Sequence, residues 1–73
     1  MYIIEYVATP IGLEPPALFS ELALGSTAEE AKDQADTHLP AVMAKYGARG
    51  YRILDRNKQR VAIGPEGFRD AKP

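Results

Sequence analysis

Residues 27–47, which read TAEEAKDQADTHLPAVMAKYG, decide the fold. Thr27 and Glu30 have the spacing of a capping box, in which each side chain accepts a hydrogen bond from the other residue's amide. Apolar residues then recur every three or four positions and predict a helix with one apolar face: Ala31, Ala35, Leu39, Val42 and Tyr46. Gly47 is a natural C-terminal cap. Pro40 removes a hydrogen bond inside this pattern, so we expect the helix to kink or break there.

The chain before this helix predicts one clear strand and one ambiguous segment. Residues 2–8 alternate in character and are rich in aromatic and β-branched side chains, which indicates a strand. Residues 9–16 contain three prolines and a glycine and are expected to form a loop. Residues 17–24 have a helix-favouring composition, but the run is short and lacks an apolar face. We predict a second strand there, with a helix as the alternative.

Two further strands are predicted after the helix, at residues 51–56 and 59–63, joined by a tight hairpin through Asn57 and Lys58. Residues 66–73 are expected to form a loose polar tail. The chain is therefore predicted to be a single small domain of the α+β class, spanning residues 1–73. Its element order is β-β-α-β-β, with one helix packed on one face of an antiparallel four-stranded sheet. The alternative order is β-α-α-β-β.

Composition restricts what can stabilise so small a domain. The chain has 73 residues, a formal net charge of -1, one histidine and no cysteine. Disulfides and thiolate zinc sites are thereby excluded, and we expect neither a metal nor a cofactor. Self-association remains as a source of extra stability, which favours a homodimer. The first residues lack the features of a signal peptide, so we expect a complete, cytoplasmic chain without a membrane segment.

One helix covers only one face of such a sheet, so we assign residues to an inner face, against the helix, and an outer face. The residues expected on the inner face are Tyr2, Ile4, Tyr6, Tyr51, Ile53, Val61 and Ile63. Those expected on the outer face are Ile3, Glu5, Val7, Phe19, Glu21, Ala23, Arg52, Leu54, Arg56, Arg60 and Ala62. This mixture resembles an interface, and we predict partner binding through Ile3, Val7, Phe19 and Leu54. The alternative is an ordinary surface with scattered apolar residues.

Charge is divided unevenly along the chain. Residues 1–44 carry seven acidic and one basic residue, whereas residues 45–73 carry eight basic and three acidic residues, so the halves have charges of -6 and +5. One explanation is pairing within the fold, with Glu5 and Glu21 opposite arginines of the last two strands. The other is nucleic-acid binding through the basic hairpin. The residues that would contact phosphates or bases are Arg49, Tyr51, Arg52, Arg56, Lys58 and Arg60.

No catalytic motif is present. Ser20, Ser26 and His38 share no spacing known from nucleophilic catalysis, and His38 is expected to be a surface or half-buried helical residue. We therefore predict a small non-enzymatic binding or regulatory protein, of a size common among bacterial and phage accessory proteins. It would act through protein contacts and self-association. Nucleic-acid binding is the alternative, and an enzyme or small-ligand carrier ranks third.

Overall fold

The computed structural model describes residues 1–8 and 17–65. It contains four strands and one helix: β1 (Ile3–Val7), β2 (Phe19–Leu22), α1 (Ala28–Tyr46), β3 (Gly50–Leu54) and β4 (Arg60–Gly64). The predicted order β-β-α-β-β, the antiparallel four-stranded sheet and the single helix packed on it are confirmed. The predicted loop at 9–16 and tail at 66–73 lie outside the described residues.

The strands lie in the order β2-β1-β3-β4, so β1 and β3 are central and β2 and β4 form the edges. Each neighbouring pair is antiparallel. The helix carries the chain from edge strand β2 across the sheet to β3, on the far side of β1. The helical alternative for residues 17–24 is wrong, because pairing with β1 outweighs the local helix propensity of this segment.

The helix begins and ends as the sequence predicts. Thr27 accepts from the Glu30 amide, Glu30 accepts from the Thr27 amide, and both halves of the capping box are present. Hydrogen bonds from the main chain of Ser26 and Thr27 lower the pKa of Glu30. Gly47 ends the helix in the left-handed region, with φ of 79°. The helix continues through the exposed Pro40 without interruption, so of the predicted kink or break the break is wrong.

The core lies between the helix and the inner face of the two central strands. The fully buried Ile4, Tyr6, Tyr51 and Ile53 supply most of its volume. The helix contributes smaller residues at its N-terminal half and larger ones after it: Ala31, Ala35, Leu39 and Val42. Small side chains let a helix approach a sheet closely, as the alanines do here.

The assignment of the two edge strands to sheet faces is wrong except for Arg60, which pairs with the outer residue Leu54 as predicted. Phe19 lies opposite Tyr6, and Glu21 lies opposite Ile4, so both side chains point to the inner face. Ala23 also packs against the core. Alternation within a strand fixes which residues share a face, but only the pairing register decides which face that is. For β2 this register was not evident from the sequence.

In β4 the error has a local cause, an irregular register between Ile53 and Leu54. Gly64 and Ala62 lie opposite Tyr51 and Ile53, and therefore share the inner face with them. Arg60 is the partner of Leu54, so Val61 is an extra residue that lacks a counterpart in β3. The prediction that Val61 and Ile63 face the helix is wrong, as is the outer position predicted for Ala62.

The connection between β3 and β4 is longer than the predicted two-residue hairpin. The carboxylate of Asp55 accepts from the amides of Asn57 and Gln59. The Asp55 amide donates to the Gln59 carbonyl, and the main-chain amide of Lys58 donates to the Asp55 carbonyl. Lys58, with φ of 63°, adopts a left-handed conformation within this connection. An aspartate-centred loop therefore replaces the predicted tight turn.

Candidate binding groove between the helix and β2

The helix lies chiefly over β1, β3 and β4 and leaves part of the inner face of β2 open. A groove with a volume of about 380 Å³ occupies this space. Its size falls within the roughly 300–1,000 Å³ range of sites that hold small molecules or side chains. Two strand residues and six helix residues line it: Phe19, Glu21, Thr37, His38, Ala41, Val42, Lys45 and Tyr46.

Aromatic rings form one wall of the groove. Phe19 stacks on Tyr46, with ring centroids 5.0 Å apart and planes at 10° to each other. Phe19 also contacts Tyr6, at a centroid distance of 5.8 Å. Tyr46 keeps 39% of its surface exposed, and the Lys45 ammonium lies 5.5 Å from its ring centroid. Rigid rings that remain accessible are effective contact surfaces for a binding partner.

A hydrogen-bonded group of three side chains forms the polar part of the groove. Glu21 accepts from the Tyr6 hydroxyl and lies 2.8 Å from Nδ1 of His38. Burial raises the pKa of Glu21, but hydrogen bonds from Tyr6 and His38 outweigh it, and the net pKa is lowered. Burial, followed by the bond to Glu21, raises the pKa of Tyr6. An ionised Glu21 requires Nδ1 of His38 to donate, so Nε2 is the nitrogen available to a ligand.

Gln34 ties the helix to the end of β2 beside the groove. Its Nε2 donates to the Leu22 carbonyl over 3.2 Å, and its Oε1 accepts from the Leu24 amide over 2.7 Å. Gln34, His38, Ala41 and Lys45 follow one another at helical spacing and form the side of the helix nearest β2. The row extends along the helix from Gln34, at the end of β2, to the groove-lining residues His38, Ala41 and Lys45.

The four residues predicted to bind a partner do not share one surface. Ile3 and Leu54 lie opposite each other on the outer face. Val7 is fully buried, and Phe19 lies in the groove on the inner face. Of the predicted surface, only Ile3 and Leu54 remain together, next to the exposed Leu22.

The six residues of the predicted nucleic-acid surface are also separated. Tyr51 is fully buried and its hydroxyl donates to Asp36, so its ring is unavailable for stacking on a base. Arg52 is bonded to Glu5, and its side chain is only 11% exposed. Four exposed residues remain, Arg49, Arg56, Lys58 and Arg60. Arg49 precedes β3, whereas the other three follow it, so they lie at opposite ends of the strand.

Internal pairing accounts for part of the uneven charge. The predicted pair between Glu5 and an arginine of the last two strands is confirmed, with Arg52 as the partner. Glu21 bonds to His38 instead. The groove was missed because its residues come from both halves of the chain and meet only through the register of β2. The helical spacing of Gln34, His38 and Lys45 is evident in the sequence, but spacing alone does not indicate which strand those residues face.

Comparison of the chain with family models, curated proteins and solved structures finds no match. Among the described residues, no helix has the length and apolar character needed to cross a membrane. Within the same residues, no group of three or more histidine, cysteine, aspartate or glutamate side chains is arranged to hold a metal ion.

Proposed function

We propose that this chain is a non-enzymatic binding protein and that the groove between α1 and β2 holds a segment of a protein partner. One observation carries the proposal: an accessible aromatic wall and basic side chains meet in one open groove. The groove therefore offers apolar contacts and charge contacts to the same partner. The absence of cysteine suits the reducing cytoplasm, where we place this activity.

The charges of the groove indicate what the segment carries. Glu21, the acidic residue of the lining, already accepts hydrogen bonds from Tyr6 and His38. The Lys45 ammonium offers hydrogen-bond donors to a ligand, whereas Nε2 of His38 accepts when Nδ1 of the neutral imidazole donates to Glu21. We therefore propose an apolar side chain that packs on Tyr46, next to a carboxylate that meets the Lys45 ammonium.

The hydroxyls near the groove favour binding over catalysis. A histidine oriented by a carboxylate resembles the base of a hydrolase, which would need a nucleophile in reach. The Thr37 hydroxyl, which lines the groove, donates to the Asp33 carbonyl. Ser20 lies opposite Glu5 and shares the outer face with it, on the far side of the sheet from His38. These positions support a structural role for the His38–Glu21 pair, which joins the helix to β2.

Selection from a displayed library of random heptapeptides tests the proposal. Enriched peptides are expected to combine an apolar residue with an acidic one. They should lose at least about tenfold in affinity for Lys45→Glu and for Ala41→Trp, which fills the groove. The matched controls are Arg56→Glu, which makes the same charge change outside the groove, and Ala44→Trp, which places the same ring elsewhere on the helix.

Two results would overturn the proposal. Enriched peptides that bind all four variants as tightly as the native chain do not use the groove. A library that yields no peptide above the level of an unrelated control protein shows that the groove does not hold protein segments. Circular dichroism of each variant establishes that the fold is retained.

Self-association is a second proposal, carried by an apolar row on the outer face. Leu22, Ile3 and Leu54 are neighbours across three strands, and Leu22 is 57% exposed. A second copy packed on this row would shield it from water. Light scattering over a dilution series should then show a dimer that Leu22→Glu converts to a monomer. A native chain that is monomeric at every concentration removes this proposal.

A further inference from the structure

β2 has one edge that remains open to a further strand. It pairs with β1 on one side, and no other strand among the described residues pairs with its second edge. In an antiparallel ladder, alternate residues direct their N–H and C=O groups toward the same neighbour. The Ala23 amide donates to Tyr2 of the segment leading into β1. By alternation, Ser20 and Leu22 direct their backbone groups away from β1.

The side-chain amide of Gln34 already forms hydrogen bonds with the backbone at this edge. Its side-chain amide donates to the Leu22 carbonyl and accepts from the Leu24 amide. One donor and one acceptor are what the backbone of a neighbouring strand would supply at this position. Both hydrogen bonds are exposed to water, so they can be exchanged for equivalent bonds at small cost.

The opposite edge of the sheet is less suited to strand addition. β4 contains the extra residue Val61 and begins at the exposed Arg60. Bulges and charged residues are common devices that protect sheet edges from pairing. β2 keeps a regular register with β1 over four residue pairs and lies beside the groove.

We infer that the partner segment binds in extended form as a fifth strand on the free edge of β2, where it replaces the side-chain amide of Gln34. The inference rests on the proposed function. Main-chain hydrogen bonds to Ser20 and Leu22 hold the segment. Its alternate side chains point to the inner face, toward the aromatic wall and the Lys45 ammonium.

A scan of backbone N-methylation tests the strand geometry. The probe is the tightest heptapeptide from the library, with each peptide nitrogen methylated in turn. Methylation at alternate positions should lower affinity at least about tenfold, and methylation between them less than about threefold. The amides of Ser20 and Leu22 should also gain protection from hydrogen exchange. Uniformly small effects would refute strand addition while leaving the groove proposal intact, because the peptide would then bind through side chains alone.

The variant Gln34→Ala tests whether the bound segment replaces the side-chain amide of Gln34. Removing the competing amide should strengthen binding of the same peptide at least about threefold, whereas Gln59→Ala, the same change in the β3–β4 loop, should not. Equal or weaker binding to Gln34→Ala overturns the replacement. Sedimentation of Gln34→Ala as a dimer without tighter peptide binding would identify a second copy as the occupant and overturn the inference. A failed library selection removes the groove proposal and this inference together.

Discussion

Gly64→Ala should be among the most damaging single-methyl additions in this protein. Gly64 lies opposite Tyr51 in the β3–β4 pair, and the tyrosine ring occupies the space where a side chain at residue 64 would be. A Cβ there would lie 2.7 Å from Cε1 of Tyr51 and closer still to Cζ and the hydroxyl oxygen. Tyr51 is fully buried and its hydroxyl donates to Asp36, so the ring has little freedom to move.

The expected cost follows from two separate contributions. Overpacking a tight site costs about 1–3 kcal/mol. Displacing the Tyr51 hydroxyl from the Asp36 carboxylate costs about 1.5–3 kcal/mol more, since hydrogen bonds to charged groups are strong. We therefore expect a loss of about 3–5 kcal/mol, where a domain of 73 residues has a total stability of about 4–11 kcal/mol. Gly64→Ala should therefore lose about a quarter or more of this stability at 25 °C.

Urea unfolding followed by circular dichroism measures this loss. Gly47→Ala is the matched control: it adds the same methyl group where no atom lies within 4 Å, and it costs about 1–2 kcal/mol from the left-handed backbone alone. Tyr51→Val removes the ring, so the cycle of single and double variants should show a favourable coupling of at least about 2 kcal/mol. The reasoning is refuted if Gly64→Ala lowers the free energy of unfolding no more than Gly47→Ala does. It is also refuted if Gly64→Ala is equally destabilising in a chain that already carries Tyr51→Val.

Three further predictions concern the same core and the helix. Burial raises the pKa of Tyr6 and of Tyr51, so their contribution to stability is complete below pH ~10, the usual tyrosine value, and declines above it by up to about 1.4 kcal/mol per pH unit for each. Absorbance at 295 nm should show these two rings ionising only as the chain unfolds; ionisation of all four tyrosines in the folded state would contradict this. Thr27→Ala should cost about 1 kcal/mol by removing the cap, and Thr27→Ser should restore most of it in urea unfolding. Pro40→Ala should raise stability by about 1–3 kcal/mol in the same assay, because an exposed interior position regains a helix hydrogen bond; a loss of stability would show that the proline is needed for packing.

The sequence contains enough local information for the elements but not for the faces of the edge strands. The capping box at Thr27 and the glycine cap at Gly47 are set by hydrogen bonds within a few residues, so they can be recognised without the fold. The inner position of Phe19 depends on its register with Tyr6, thirteen residues away along the chain. The extra residue in β4 depends on how that strand meets Leu54. The first error comes from long-range pairing, and the second comes from an irregular register within the β3–β4 hairpin.

The groove follows from the sizes of side chains on the two edge strands. A helix is about 10 Å wide and strands are about 4.8 Å apart, so a single helix cannot cover four strands equally. Ala62 and Gly64 present little bulk on the inner face of β4, which lets the helix lie over that side. Phe19 and Glu21 are large, and on the inner face of β2 they reach the helix by side-chain contact with Tyr46 and His38. A helix displaced toward the small residues leaves a gap beside the large ones, and the gap is lined by the aromatic and charged groups that bridge it.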